Sequence, residues 1–234
     1  MIPLHDDNPT ELTPFLTIGF IAVCVLVFFW QISLDADGQR AAFFAFGVVP
    51  AVLFDIRQLP PELDLIPPAL SIVTSMFMHG GWMHIIGNML FLWIFGNNVE
   101  DAMGHGRFVL FYLICGIAAA LAQAVPNPES TIPMVGASGA IAGVLGAYLL
   151  LYPHARVLIA VPLGFYLHTM RLKAGWVLGF WFAVQMISSL SAGDGPGVAW
   201  YAHLGGFVAG MALVPLFKRK GIRLFNPAHA HIRR

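Results

Sequence analysis

The chain has 234 residues and a formal net charge of zero, and 58% of its residues are hydrophobic while only 10% are charged. Soluble domains carry about 25% charged residues, so twelve basic and twelve acidic side chains are too few to cover a soluble fold of this size. A soluble globular enzyme is excluded, as are disorder, collagen and coiled coil, and no basic stretch in the apolar body suggests nucleic-acid binding. What remains is a multi-span membrane protein with room for about six helices of roughly 20 residues.

Hydropathy predicts six membrane-spanning helices, at residues 14–32, 72–95, 108–125, 136–152, 172–190 and 200–217. Backbone polar groups in lipid need internal partners, and these runs do not alternate as barrel strands do. We therefore expect one domain over residues 1–234, an all-α bundle of six transmembrane helices. A further apolar stretch, residues 157–166, is short and interrupted by Pro162 and Gly164, which favours an interfacial or re-entrant segment.

Small residues at four-residue spacing occur in three of the predicted spans. Such pairs let two helix backbones approach closely in a membrane. The pattern predicts close helix contacts at three pairs: Gly139 with Gly143, Gly175 with Gly179, and Gly206 with Gly210.

The distribution of lysine and arginine predicts the orientation in the membrane. With six spans and a cytoplasmic N-terminus, the inside segments hold ten basic residues and the outside loops hold two, Arg40 and Arg57. The ten are Arg107, Arg156, Arg171, Lys173, Lys218, Arg219, Lys220, Arg223, Arg233 and Arg234. We therefore expect both termini in the cytoplasm, with residues 218–234 as a basic cytoplasmic tail.

The first outside connection, residues 33–71, is long for a compact bundle and carries many apolar side chains with few charges. A segment of this composition is expected to fold onto the membrane interface rather than extend into water. We therefore predict a partly helical outer loop of short amphipathic helices.

Polar residues stand out in three of the spans, because each is costly to place in lipid. His84 and Asn88 are four residues apart and share one face of the second span. Ser138 lies near the start of the fourth span and His203 near the start of the sixth. These three spans all run from outside to inside, so the four side chains are predicted to lie in the outer half of the membrane. Their convergence indicates one shared site.

A serine and a histidine in one site suggest nucleophilic catalysis. A serine hydroxyl becomes reactive when a neighbouring base removes its proton, and histidine is the usual base. A histidine N–H, an asparagine amide and the backbone N–H of Ser138 could stabilise an oxyanion. Asp194 is in an outer loop, and Glu100 and Asp101 lie at the opposite membrane face. With no carboxylate at the depth of His203, a Ser–His dyad is favoured over a triad.

Each residue also has a purely structural interpretation. A transmembrane serine often bonds to a carbonyl of its own helix, an intramembrane histidine can join helices or carry protons, and His84 with Asn88 could be interhelical hydrogen bonding alone. Metal binding by His79, His84 and His203 is disfavoured, because no acidic or cysteine ligand lies beside them.

Three motifs in fixed order carry a family resemblance. They are His79-x4-His84-x3-Asn88, Gly136-x-Ser138-Gly139 and His203-x2-Gly206-x3-Gly210. With them the chain resembles the rhomboid intramembrane serine proteases of the bacterial six-span type. The Gly-x-Ser-Gly piece alone is weakly specific, whereas the ordered set is highly specific and covers spans two to six.

The resemblance implies a role for each motif residue. Ser138 would be the nucleophile and His203 the general base, while His84, Asn88 and the Ser138 amide would line the oxyanion hole. The remaining motif residues would be structural: His79, Gly136, Gly139, Gly206 and Gly210. The family needs no cofactor, and it cleaves single-span proteins in or near their transmembrane segments. From the compact six-span form we expect the chain to lie in a bacterial plasma membrane, and we expect no metal.

The sequence departs from the family pattern at two places. Leu70 and Ser71 stand where some members carry Trp-Arg in the first loop, and Ala142 replaces a tyrosine that stacks on the catalytic histidine in some members. The second departure leaves open how His203 is held. We also expect the fifth span to be a lateral gate, on account of its aromatic residues Trp176, Phe180, Trp181 and Phe182.

Two functions other than proteolysis agree less well with the sequence. Protease-dead relatives bind transmembrane helices, but they typically lack the serine or the histidine, and both are present in this chain. A transporter or proton channel would use histidines as a relay, but the inner half of the predicted bundle lacks a matching series of ionisable groups. The sequence therefore favours an intramembrane serine endopeptidase.

Overall fold

The computed structural model describes residues 1–164, 166–191 and 197–226. Most of these residues are helical, in the order α1 (Phe15–Ser33), α2 (Ala36–Phe46), α3 (Pro50–Leu53), α4 (Pro68–Thr74), α5 (Trp82–Met103), α6 (His105–Ala124), α7 (Ser138–Leu151), α8 (Ala174–Ser191) and α9 (Trp200–Phe217). A short 3₁₀ turn covers Ser75–Phe77, and the strands are β1 (Ile2–Asp6), β2 (Arg156–Leu163) and β3 (Tyr166–Lys173). Asp194 and residues 227–234 of the predicted tail lie outside the described residues.

The helical architecture agrees with the hydropathy pattern. Within the described residues, α1, α6 and α9 are the helices that are long and apolar enough to cross a membrane. The bounds of α1 and of α6 to α9 fall within three residues of the predicted ones.

The second predicted span needs correction, because residues 72–95 are not one helix. The helix is interrupted between Met78 and Gly81, and Gly81 has φ +157°, a backbone conformation open mainly to glycine. α5 starts only at Trp82 and continues to Met103, where Gly104 at φ +79° ends it. His84 is consequently the third residue of its helix and not a residue of its middle.

The all-α prediction also needs correction, because the described part of the 157–166 stretch contributes to two antiparallel β-strands. β2 pairs antiparallel with β3, from Arg156 opposite Lys173 to Leu163 opposite Tyr166. The N-terminal strand β1 adds to the other edge of β2. Hydropathy alone could not reveal this sheet, because an apolar run of about eight residues is compatible with a strand or a short helix.

The residues between α1 and α5 fold into three short helices against the bundle. Asp35 caps α2 by accepting a hydrogen bond from the Gly38 N–H at 2.8 Å. The Thr74 hydroxyl of α4 donates to the Phe46 carbonyl at 2.7 Å. These bonds fix α4 beside the end of α2.

The helices α7 and α9 make the closest packing in the molecule's core. An added Cβ at Gly206 would run into the Gly139 carbonyl, and one at Gly210 would run into the Gly143 carbonyl. Backbone therefore touches backbone at two successive turns, as these two predicted glycine pairs require. The third pair differs. An added Cβ at Gly175 would lie 3.2 Å from the Pro153 carbonyl oxygen, while one at Gly179 would meet no atom of the described residues within 4 Å.

A buried carboxylate anchors α1 at the end of the bundle away from the glycine-rich motifs. Glu100 of α5 is fully buried and accepts hydrogen bonds from the Leu16 and Thr17 backbone N–H groups and from the Thr17 hydroxyl. These are the N–H groups that a helix start leaves unpaired. The α1 N-terminus is thus capped by another helix rather than by its own N-cap residue, Pro14.

Candidate active site

Ser138 is the first residue of α7 and lies two residues after Gly136, which has a backbone conformation that favours glycine. Gly136 has φ +132°, and an added Cβ there would lie 2.7 Å from the His84 ring. Its N–H donates to the Ser75 carbonyl at 2.8 Å. A side chain at Gly136 would be strained at this φ and would push the His84 ring aside, and the same Cβ position lies 3.7 Å from Ser138 Oγ. Gly136 therefore leaves the space that His84 and Ser138 share.

The structure brings Ser138 and His203 together across the seam between α7 and α9. His203 Nε2 lies 2.8 Å from Ser138 Oγ, a normal hydrogen-bond length. The glycine contacts of this seam lie within one turn of both residues, since Gly139 follows Ser138 and Gly206 is three residues after His203. The small residues therefore allow the two helices to approach closely enough for this bond.

Two residues of α8 hold the other side of the His203 ring. His203 Nδ1 lies 2.6 Å from Gln185 Oε1, and the Trp181 ring centroid is 5.8 Å from that of His203. Sequence reasoning named Trp181 only as a gate residue and missed Gln185. A polar side chain in an apolar run one turn after Trp181 was the signal that could have revealed it. Ala142, at the position where some family members have tyrosine, is buried in α7.

His84 and Asn88 lie on α5 with hydrogen-bond donors available. The Gly80 N–H donates to His84 Nδ1 at 3.2 Å, so the His84 proton sits on Nε2. Asn88 is 8% exposed, and its Nδ2 has no hydrogen-bond partner among the described residues. A buried amide without a partner is rare, and a developing negative charge would satisfy it.

His79 lies in the turn before α5, and its ring packs against the His84 ring. Its backbone N–H donates to Gln31 Oε1 at 3.0 Å, and Gln31 Nε2 donates to its carbonyl at 3.2 Å. The two imidazole rings meet edge to face with centroids 5.3 Å apart. Gln31 of α1 thus fixes the turn that leads into α5, and the His79 ring supports the His84 ring.

One cavity of about 1100 Å³ joins these side chains. Its lining includes the polar residues His84, Asn88, Ser138, Gln185 and His203. Ser138 is the first residue of α7, His203 the fourth of α9 and His84 the third of α5. The N-terminal ends of three helices therefore meet at the cavity, and their unpaired N–H groups favour negative charge there.

Comparison with known proteins gives a consistent family. The family model described as "Rhomboid domain" matches residues 68–220. Rhomboid protease GluP of Bacillus subtilis is 32% identical over 199 residues, which are 84% of this chain and 34% of that protein. Rhomboid protein 1, mitochondrial, of Saccharomyces cerevisiae is 35% identical over 104 residues, 43% of this chain and 30% of that protein.

A shorter match has the same family name. The putative rhomboid protease YdcA of Bacillus subtilis is 35% identical over 78 residues, 33% of this chain and 39% of that protein. The chain thus spans about a third of the length of the curated relatives that it matches. Together with its apolar helices, these matches identify an integral membrane protein, and the chain belongs to the rhomboid family.

Proposed function

We propose that the chain is an intramembrane serine endopeptidase with Ser138 as nucleophile and His203 as general base. The observation that carries the proposal is the 2.8 Å hydrogen bond from Ser138 Oγ to His203 Nε2 inside a polar cavity. Similarity to proteins named rhomboid proteases supports the same activity.

Acylation follows from that geometry. The Ser138 oxygen attacks the carbonyl carbon of the scissile peptide bond while its proton passes to His203 Nε2. The C–N bond then breaks, and His203 gives that proton to the leaving amine. The products of this half-reaction are an acyl ester on Ser138 and a free amine.

Deacylation uses the same two side chains in reverse. A water molecule that enters through the cavity loses a proton to His203 and attacks the ester carbon. The Ser138 oxygen leaves and takes the proton back from His203, so that a free carboxyl product and the original enzyme result.

The oxyanion of each tetrahedral intermediate would be held by three donors. These are the unpartnered Asn88 amide, the His84 Nε2–H and the Ser138 backbone N–H at the start of α7. Each such donor typically contributes a factor of about 10²–10³ in rate. Gly136 serves this arrangement, because any larger residue would displace the His84 ring.

For the membrane arrangement we propose six spans formed by α1, α5, α6, α7, α8 and α9, within one rhomboid-like domain over residues 1–234. Ten basic residues against two support cytoplasmic termini and a basic cytoplasmic tail. The residues between α1 and α5 would then form the outer loop, and the cavity would open to the outside. We propose a bacterial plasma membrane as the location of the chain, in line with the six-span form.

The proposed substrates are transmembrane proteins that approach Ser138 sideways from the lipid bilayer. A helical substrate must unwind locally, because its carbonyls are otherwise bonded within the helix. We place the gate at α8, whose Trp176 and Phe180 are exposed while Trp181 and Phe182 pack inward against His203 and Phe207. No cofactor or metal is needed for this chemistry.

Covalent labelling tests the proposal. The purified protein in detergent is treated with a fluorophosphonate, and cleavage of a transmembrane substrate is followed in parallel. We expect Ser138→Ala and His203→Ala to abolish both signals. Ser33→Ala and His168→Ala are matched controls, because Ser33 bonds only its own helix on α1 and His168 is exposed on β3.

Two outcomes would count against the proposal. Labelling that persists in Ser138→Ala would show a different nucleophile. A wild-type protein that neither labels nor cleaves, while it still binds transmembrane helices, would favour the non-catalytic function.

A further inference from the structure

Gln185 is a buried polar residue of α8 that takes no part in the acylation and deacylation steps proposed above. It lies in a strongly apolar helix and is only 7% exposed. An amide in such surroundings is unfavourable unless its polar atoms are bonded. Its carbonyl oxygen lies 2.6 Å from His203 Nδ1. This short contact ties the base to a helix that contributes neither the nucleophile nor an oxyanion donor.

The direction of this hydrogen bond determines the state of the imidazole. An amide oxygen only accepts, so His203 Nδ1 must carry the proton and donate it to Gln185 Oε1. A neutral imidazole has one N–H, which leaves the Nε2 lone pair free toward Ser138. Ser138 Oγ, 2.8 Å away, therefore donates to His203 Nε2. This is the tautomer that a general base needs.

We propose that Gln185 is a positioning residue that completes a Ser138–His203–Gln185 array. It fixes the tautomer and the ring orientation of His203, as a carboxylate does in the triads of soluble serine proteases. The inference rests on the proposed function. A neutral amide does this in an apolar helix without the desolvation cost that a buried carboxylate would carry there.

The position of Gln185 links the base to the gate. Ser138 and His203 are held on α7 and α9 by the glycine seam, whereas Gln185 and Trp181 are carried by α8. A movement of α8 away from the cavity removes the Nδ1 acceptor and the Trp181 ring together. His203 then loses its fixed tautomer, so the site is fully active only when α8 is back in place.

Substitutions at Gln185 test the array. Gln185→Met keeps the side-chain length but removes the acceptor, and Gln185→Glu keeps an oxygen at the same reach. We expect Gln185→Met to lower kcat and the fluorophosphonate labelling rate about tenfold, the worth of one orienting hydrogen bond, with KM little changed. Gln185→Glu should restore both rates to within about threefold of wild type.

The matched control is Ser189→Ala, one turn further along α8. Ser189 is also buried, and within the described residues its hydroxyl donates to the Met186 carbonyl of its own helix. Its substitution should leave labelling and cleavage at the wild-type rate. If Gln185→Met does not fold, Gln185→Asn replaces it, because it stays polar while its acceptor falls short of His203.

The outcomes separate this inference from the proposed function. A wild-type protein that does not label would refute the protease itself. Labelling of wild type and Gln185→Met at equal rates would overturn the array while the protease stands. A rise in KM with kcat unchanged would make Gln185 a substrate contact, which also overturns the array.

Discussion

The substitution Gly206→Ala probes how tightly the α7–α9 seam sets the distance between the two reacting side chains. A methyl group at Gly206 would run into the Gly139 carbonyl oxygen and lie 2.9 Å from its carbon atom. Ordinary contacts between such atoms are about 3.5 Å or longer, so the helices must separate by on the order of 1 Å. Both neighbours are backbone atoms, and no side-chain rotation can relieve the overlap.

The expected effect on activity follows from this displacement. Ser138 adjoins Gly139, and its hydroxyl is 2.8 Å from His203 Nε2. A separation of about 1 Å takes this bond beyond hydrogen-bonding range. Misplacements of this size can lower the rate about 10²-fold. Overpacking also destabilises a core by about 1–3 kcal/mol.

The assay pairs the fluorophosphonate labelling rate with thermal unfolding in detergent. Gly19→Ala is the control, because an added Cβ at Gly19 on α1 meets nothing within 4 Å. We expect the control to behave as wild type in both measurements. A Gly206→Ala protein that labels at the wild-type rate would show that the seam does not set the catalytic distance, and the packing argument would fail.

Two further predictions concern Asp6 of strand β1 and the proposed gate at α8. Burial raises the pKa of Asp6, which accepts a hydrogen bond from the Tyr148 hydroxyl, from 3.8 to about 6. At Asp6 the native state therefore binds more protons than the unfolded chain between about pH 4 and pH 6, and the contribution of this carboxyl to stability falls by on the order of 3 kcal/mol as pH rises through this window. Asp6→Asn removes this contribution, so the stability of the variant relative to wild type, measured by thermal unfolding, should rise by that amount from pH 4 to pH 6. A difference between the two proteins that does not change with pH would contradict this. The proposed gate is tested by cross-linking Phe91→Cys on α5 to Val184→Cys on α8 with bismaleimide spacers of several lengths. Cross-linking should suppress cleavage of transmembrane substrates but leave fluorophosphonate labelling unchanged, and each single-cysteine variant is a control. Undiminished cleavage would show that α8 is not the gate.

The sequence predicts the parts of this molecule that depend on local patterns. Long apolar runs determine where α1, α6 and α9 lie, because about 20 residues are needed to cross the bilayer. The glycine pairs of α7 and α9 predict their close packing for a similar reason: small residues at four-residue spacing line one helix face. These signals need no knowledge of distant partners.

Features that depend on distant partners could not be predicted in this way. β1 pairs with β2 across more than 150 residues of chain, and hydropathy contains no term for such a pairing. α5 starts late because of the conformation of Gly81. A hydropathy window does not detect this interruption, because apolar residues lie on both sides of Gly81. The role of Gln185 depends on the rotation of α8 toward His203, which tertiary packing decides.

The site is assembled from one fixed part and one part that is less tightly held. Backbone contact between α7 and α9 fixes Ser138 and His203, while α8 meets them through side chains: Gln185, Trp181 and Phe182. The start of α8 is bonded through its backbone, because the Ala174 and Gly175 N–H groups donate to the Ala155 and Pro153 carbonyls. The rest of α8 can therefore move about this end without separating the backbones of the other two helices. With α8 as the proposed gate, a substrate that enters past it would find the serine and histidine already paired but the Gln185 acceptor withdrawn. Cleavage would then follow the return of α8, and we expect a segment too bulky to let α8 close to bind without being cut.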